Sequence, residues 1–220
     1  MPLGRKVAEE DICEADVVIY VISRISGEGK DRRKVKGDYY LSEREEEDLR
    51  YLAEMNKPVI LILNAGGPVE LTDILEQTDN IKGILNISQL GQEGGDALAD
   101  VLLGKEVPGG KLTTTWARRY EDYPASEEYG YLNGNLEKEK YKEGIYVGYR
   151  YFDSFDKKVM FPFGFGLSYT MFEMKCCSIN MEESKIRAEV QVTNTGNEYA
   201  GKEDGTDLCY ASADRTGKRV

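Results

Sequence analysis

The chain has 220 residues and carries 40 Asp and Glu against 29 Lys and Arg, a net charge of −11. This negative charge disfavours binding to nucleic acid or to anionic membrane surfaces, because both would repel it. The sequence contains no histidine, which excludes Ser-His-Asp and Cys-His catalysis and leaves Asp, Glu, Lys and Tyr for acid–base work. The cysteines fit no zinc spacing, and we expect reduced thiols at Cys13, Cys176, Cys177 and Cys209.

Hydrophobic runs are short throughout the chain. Two of the longest, Val17–Ile22 and Val59–Leu63, are far below the roughly 18 residues that a membrane span needs. The N-terminal residues lack the apolar region of a signal peptide. We therefore expect a cytoplasmic location.

The first hundred residues alternate between strand and helix patterns. Val17–Ile22 predicts a buried strand, and Val59–Leu63 predicts a second. Between them, residues 42–55 form an amphipathic helix pattern in which Ser42 and Glu45 make a capping box. A short helix at about 69–77, a weaker strand at 83–87 and a helix at 96–103 complete the pattern. Apolar strands alternating with helices predict a parallel sheet covered on both faces.

The character of the chain changes from about Pro108. Residues 118–142 predict a long surface connection. The aromatic segment 144–153 is strand-like, and residues 161–169 form a Gly/aromatic hinge. Alternation of apolar and polar residues from Ile186 to Val192 then predicts a β-strand in a short β-rich tail.

The loop after the first predicted strand carries the chain's main candidate for catalysis. Glu28 lies between Gly27 and Gly29, just beyond a strand end, where open α/β sheets collect their ligand sites. A carboxyl held there could act as a general acid if its pKa were raised. From spacing alone, an exposed loop glutamate beside a glycine turn is the competing interpretation.

Basic residues surround this loop. The cluster consists of Arg24, Lys30, Arg32, Arg33, Lys34 and Lys36. It is compatible with a phosphate-binding loop, but no Gly-x-Gly-x-x-Gly or P-loop pattern accompanies it, which favours a solvated loop.

Several motifs together resemble the second domain of family 3 glycoside hydrolases, the β-glucosidase and β-xylosidase family. They occur in the family's order from about Ala15 to Lys202. The matching segments are Ser26–Gly29, Asn64–Glu70, Gly91–Gly95, Gly109–Leu112, Gly144–Tyr151 and Phe161–Thr170.

The resemblance implies a three-layer α/β sandwich with a mostly parallel sheet of about six strands. It also implies that Glu28 is the general acid/base and that no cofactor is needed. We further predict Arg24 and Asp31 as substrate-binding residues. The resemblance places a domain boundary so that residues 1–170 form the sandwich and residues 171–220 an incomplete fibronectin type III-like segment.

Two features depart from the family pattern. The family's nucleophile is an aspartate on a (β/α)8 barrel, usually in a Ser-Asp-Trp motif, whereas the only tryptophan here, Trp116, follows Thr115. The tail from Asp204 to Val220 also loses the pattern of the family. We therefore expect the barrel to lie outside this chain, and the isolated chain to be inactive.

The resulting expectation is a domain that supplies the acid/base for hydrolysis of terminal β-D-glycosides, with a barrel domain in cis or in trans as its partner. A non-catalytic module that binds sugar or a partner protein is the alternative, and a flavodoxin-like nucleotide binder is a third. Uncovered faces at Phe161–Phe165 and Ile186–Val192 predict a possible homo-oligomer.

Overall fold

The computed structural model describes residues 12–25, 32–127, 137–138, 140–182 and 185–196. The chain divides into two compact units. The first comprises Met1–Gly95 and Leu112–Phe165, and the second comprises Asp96–Lys111 and Gly166–Val220. The predicted boundary between residues 170 and 171 stays a prediction.

A parallel β-sheet forms the centre of the first unit. Its strands are β1 (Val18–Ser23), β2 (Val59–Asn64) and β3 (Ile81–Asn86), in the order β1-β2-β3. All neighbouring pairs run parallel, which confirms the predicted α/β class. The described residues give this sheet three strands, where about six were expected.

Two helices connect these strands: α1 (Glu43–Glu54) and α2 (Thr72–Gln77). The predicted capping box at the start of α1 is present. The Ser42 hydroxyl accepts a hydrogen bond from the Glu45 backbone N–H at 3.2 Å, and the Glu45 carboxylate accepts one from the Ser42 N–H at 2.8 Å. These bonds satisfy backbone donors that the first helical turn leaves unpaired.

The hydrophobic core lies between the sheet and helices α1 and α2. β2 is its centre, since Val59, Leu61 and Leu63 are at most 1% exposed. Leu49 and Leu52 are the buried residues of α1. The full set of buried members is Ile12, Ile22, Leu41, Leu49, Leu52, Val59, Leu61, Leu63, Ala65, Val69, Leu71, Ile74 and Trp116.

Helix α3 (Gly94–Leu102) begins at the end of the first unit and continues into the second. It ends close to the predicted residue 103, and Gly104 follows with a φ of 71°. The Gly104 N–H donates to the Val101 carbonyl at 3.0 Å and the Lys105 N–H donates to the Asp100 carbonyl at 2.8 Å. A left-handed glycine allows the chain to turn back onto these carbonyls.

A short antiparallel pair completes the first unit. It joins β4 (Trp116–Ala117) to β5 (Val159–Phe161). A 3-10 turn (Tyr120–Asp122) follows β4. At the predicted hinge, Gly164 has a φ of 78° and donates its N–H to the Leu112 carbonyl at 2.8 Å.

The strand-like prediction for residues 144–153 is wrong, because this segment contains helix α4 (Tyr149–Ser154). The alternating aromatic residues mimic a strand period, but only Phe152 is buried in this helix. Its ring meets that of Tyr123 edge to face at 5.8 Å, while the rings of Tyr151 and Phe155 lie 5.2 Å apart, one helical turn apart in sequence. Packing of this kind overrides the preference of aromatic residues for strands.

The second unit contains an antiparallel hairpin of β6 (Phe172–Glu182) and β7 (Lys185–Asn194). The strand predicted from the alternation between Ile186 and Val192 is confirmed, because these residues lie in β7. Residues directly opposite each other share a face, and the register pairs apolar residues with apolar residues. The apolar face of the hairpin consists of Met174, Cys176, Ile179, Met181, Ile186, Ala188, Val190 and Val192. All of β7 is exposed.

No helix among the residues that the structure describes is long and apolar enough to cross a membrane. The three described cysteines, Cys13, Cys176 and Cys177, are free and exposed. Cys209 lies outside the described residues.

The core predicts a test on Leu52, which is fully buried. We expect Leu52→Ala to lower the free energy of unfolding by about 2–5 kcal/mol, because it removes apolar contacts and leaves a cavity. Urea unfolding followed by the fluorescence of Trp116, the single tryptophan and a core member, measures this change. Leu103→Ala is the matched control, since Leu103 is 69% exposed. Equal losses in both variants would contradict this description of the core.

Candidate active site

The candidate site lies where β1 and β2 end. The Arg24 backbone N–H donates to the Asn64 carbonyl at 3.0 Å, so the pairing of the two strand ends continues to Arg24, four residues before Glu28. Carboxyl ends of parallel strands are where α/β sheets bind ligands. Of the predicted site residues, Arg24 lies at this edge, whereas Glu28 and Asp31 lie outside the described residues.

Arg24 is a buried charge, with 6% of its surface exposed. Its Nε donates to the Asp38 carbonyl at 2.7 Å, and its two terminal nitrogens donate to the carbonyls of Ser23 and Tyr40 at 2.9 and 3.2 Å. The same nitrogens also bind the Glu45 carboxylate at 2.8 and 2.7 Å. A guanidinium has five N–H donors, and here all five are directed to protein acceptors. The predicted role of Arg24 in substrate binding stays a prediction.

Glu45 has two functions at the start of α1. Its carboxylate completes the capping box with Ser42 and also forms the bidentate ion pair with Arg24. Burial favours the neutral acid, but the hydrogen bonds from Arg24 and from the Ser42 backbone outweigh burial and lower the pKa of Glu45 below its ordinary value. The ion pair therefore stays charged at neutral pH.

Arg32 lies at the other end of the undescribed segment 26–31. Its Nε donates to the Asp38 carboxylate at 2.8 Å, one terminal nitrogen donates to the Pro68 carbonyl at 2.6 Å, and the other donates to the Asp38 carbonyl. The remaining carboxylate oxygen of Asp38 accepts the Arg33 N–H at 2.8 Å. Burial alone would raise the pKa of Asp38, but the hydrogen bonds from Arg32 and the Arg33 N–H outweigh burial, and the pKa lies below its ordinary value.

Carboxylates also pair with two further cations of the basic cluster. Lys34 pairs with Glu121, and Lys36 pairs with Glu46 at 3.3 Å. Lys30 lies outside the described residues. Because Arg24, Arg32, Lys34 and Lys36 each have a carboxylate partner, this arrangement argues against a phosphate-binding loop.

Glu70, the last residue of the Asn64–Glu70 motif, joins two neighbouring segments. Its backbone N–H donates to the Tyr39 carbonyl at 3.0 Å, and its carboxylate accepts the Tyr120 N–H at 2.8 Å and lies 3.5 Å from Arg119. Burial raises the pKa of Glu70, with the Tyr120 hydrogen bond opposing this change. The loop before α1 and the segment after β4 are thereby held beside the strand ends.

An aromatic cluster packs between these two segments. Tyr39 is 7% exposed, and its ring meets those of Tyr40 and Tyr120 edge to face at 5.5 and 4.9 Å. The Lys34 ammonium lies 4.8 Å above the Tyr120 ring, at cation–π distance. Burial strongly raises the pKa of the Tyr39 phenol, so this group is neutral at physiological pH and acts in packing.

Three roles at this site were not predicted from the sequence. They are the hydrogen bonds of Asp38, the ion pair of Glu45 with Arg24, and the anchoring of Arg32 to the Pro68 carbonyl. Local pattern identified Glu45 only as a capping residue. Its bond to Arg24 joins residues 21 positions apart, and no sequence spacing reports such a pairing. Within the described part of the chain, no three His, Cys, Asp or Glu side chains lie close enough to hold a metal ion.

Comparison with known proteins identifies the family. Residues 4–149 match the glycosyl hydrolase family 3 C-terminal domain. The chain is 40% identical to beta-glucosidase A of Butyrivibrio fibrisolvens, over 90% of this chain and 25% of that protein. It is 35% identical to a beta-glucosidase of Ruminococcus albus, over 92% of this chain and 21% of that protein.

Solved structures show the same relationship. Beta-glucosidase 3B from Thermotoga neapolitana in complex with glucose is 45% identical with a TM-score of 0.73, covering 82% of this chain and 26% of that one. A beta-glucosidase from Paenibacillus barengoltzii is 34% identical with a TM-score of 0.79, covering 88% and 22%. The chain thus spans about a quarter of the length of these relatives. It belongs to glycosyl hydrolase family 3 and carries the C-terminal domain of that family.

Proposed function

We propose that this chain is the C-terminal domain of a retaining β-glucosidase, in which Glu28 is the general acid/base. The observation that carries the proposal is the paired end of β1 and the buried Arg24 after it, shortly followed by the Ser26–Gly29 motif. The beta-glucosidase relatives support the same reaction.

In the proposed reaction, an aspartate from a barrel domain attacks the anomeric carbon while Glu28 protonates the departing glycosidic oxygen. A covalent glycosyl-enzyme forms and the leaving alcohol departs. Glu28, now a carboxylate, takes a proton from water, and the oxygen of that water displaces the aspartate. Retention requires the two carboxyl groups to lie about 5–5.5 Å apart. Glu28 must therefore reach a neighbouring domain, which a glycine-flanked loop allows.

The barrel domain is the proposed partner, in the same polypeptide or in another one. A neutral substrate agrees with the pairing of Arg24, Arg32 and Lys36 with carboxylates around the strand ends. The substrate proposed is a β-linked glucoside or short oligosaccharide.

The first expectation concerns the isolated 220-residue chain. We expect no hydrolysis of aryl β-glucosides, because the covalent step lacks its nucleophile. Release of p-nitrophenol from the β-glucoside measures this activity after repeated purification. Turnover that persists through purification and disappears in Glu28→Gln would show that the chain is a complete catalyst and would overturn this expectation.

The second expectation concerns a chimera in which this chain replaces the corresponding quarter of Thermotoga neapolitana beta-glucosidase 3B. We expect Glu28→Gln to lower kcat/KM for phenyl β-glucoside by about 10²–10⁴-fold, the usual contribution of general acid catalysis. The loss for 2,4-dinitrophenyl β-glucoside should be much smaller, because that leaving group departs without a proton.

Glu93→Gln is the matched control for this experiment. Glu93 is an exposed glutamate that precedes two glycines, and we expect its substitution to change neither substrate's kcat/KM. Equal losses for the two leaving groups in Glu28→Gln would refute the acid/base assignment. A chimera that binds glucosides but never cleaves them would favour the non-catalytic sugar-binding module.

We also propose that the isolated chain self-associates through the apolar face of the hairpin, where Ile179 and Met181 are 67% and 80% exposed. Val192→Lys, a substitution on that face, should shift sedimentation toward monomer, because a charge would be buried at the contact. Thr193→Lys is the control, since Thr193 lies on the opposite face. A wild-type chain that sediments only as a monomer at high concentration would exclude this association.

A further inference from the structure

We propose that Arg24 and Arg32 act together as positioning residues for Glu28, by holding the two ends of the segment 26–31 at one peptide group. We call Arg24, Arg32, Asp38 and Glu45 the arginine clamp. The inference deepens the proposed function and rests on it for the role of Glu28.

The central observation is a shared acceptor. Arg24 lies two residues before the segment and Arg32 directly after it, and both side chains donate to the carbonyl oxygen of Asp38. A carbonyl oxygen has two lone pairs, so it can satisfy both donors. The chain on either side of the Glu28 loop is therefore held at the same peptide group.

Each arginine is also attached to the rigid part of the domain. Arg24 binds Glu45 on α1 and the Ser23 carbonyl at the end of β1. Arg32 binds the Pro68 carbonyl in the segment that follows β2. The clamp thus attaches Arg24 and Arg32 to helix α1, to the end of β1 and to the segment after β2, as well as to the same carbonyl group.

Burial and charge make these contacts strong. The Arg24 and Glu45 side chains are 4% and 14% exposed, and those of Arg32 and Asp38 are 16% and 20% exposed. Charge-assisted, bidentate hydrogen bonds in poorly solvated surroundings are stronger than ordinary ones. Both carboxylates have lowered pKa values, so they remain ionised at and above their ordinary values of 4.5 and 3.8, and the clamp weakens only as the pH falls through lower values.

Catalysis by Glu28 would depend on this arrangement. Its carboxyl must reach a nucleophile on another domain, and a displacement of about 1 Å can cost on the order of 10²-fold in rate. Fixing both ends of a six-residue segment restricts the positions that its centre can occupy. Neither arginine needs to contact the substrate for this effect.

Hydrogen exchange on the 220-residue chain tests the anchoring without any need for activity. The first variant combines Arg24→Met with Glu45→Leu, because a single substitution would leave a buried unpaired charge. The second variant is Arg32→Met. We expect amide exchange in peptides covering residues 25–38 to accelerate at least about tenfold, with exchange in β2 unchanged.

Lys36→Met is the control for this experiment, because Lys36 belongs to the same loop and binds Glu46 outside the clamp. It should leave exchange in residues 25–38 as in the unmodified chain. Unchanged exchange in the clamp variants, or acceleration spread evenly over β2 as well, would overturn the proposal. Arg24→Lys should not rescue the loop, since an ammonium cannot reproduce the five-donor fork.

Leaving-group dependence in the chimera tests positioning separately from folding. The clamp variants should lower kcat/KM for phenyl β-glucoside about 10–100-fold, and that for 2,4-dinitrophenyl β-glucoside much less. A loss of folded protein would lower both equally, and that result would overturn the positioning role. If Glu28→Gln shows the leaving-group effect and the clamp variants do not, only the clamp fails. If Glu28→Gln itself shows none, the proposed function fails, while the exchange data still decide the anchoring.

Discussion

Burial of the Arg24 guanidinium is the constraint on which this domain's functional edge depends. A buried cation is costly unless every donor is paired and a carboxylate balances the charge. Arg24 meets both conditions, with five hydrogen bonds that include a bidentate pair to Glu45. Meeting them requires β1, helix α1 and the loop before α1 to hold fixed relative positions. The same guanidinium therefore organises the strand end, the helix start and the loop between them.

The chain is acidic overall, but many of the charges that follow β1 are paired with opposite charges. The chain carries a net charge of −11, yet four cations that follow β1, namely Arg24, Arg32, Lys34 and Lys36, each pair with a carboxylate from α1, from their own loop or from the segment after β4. The carboxylates stay ionised at neutral pH where hydrogen bonds outweigh burial, as at Glu45 and Asp38. These ion pairs are consistent with the uncharged substrate that we propose.

Apolar surface elsewhere in the domain remains uncovered among the described residues. Ile19 and Val21 on the edge strand β1 are 49% and 53% exposed, and the hairpin presents a continuous apolar face. Monomeric domains seldom leave contiguous apolar strand surfaces in water. The hairpin part of this surface is the face through which we propose self-association.

Features that depend on short-range chemistry were predictable from the order of residues alone. Apolar runs predicted β1 and β2, and Ser42 and Glu45 predicted the start of α1, because each of these signals lies within a few residues of its effect. Short motifs in a fixed order along the chain indicated the family. Two features became visible only in the folded domain. Residues 149–154 form a helix whose buried residue is Phe152, and Glu45 is the partner of Arg24. The basic cluster was compatible with a phosphate site or a solvated loop, whereas in the structure four of its cations form ion pairs. Their partners are brought close by folding, and the free energy of a buried ion pair depends on surroundings that no local pattern specifies.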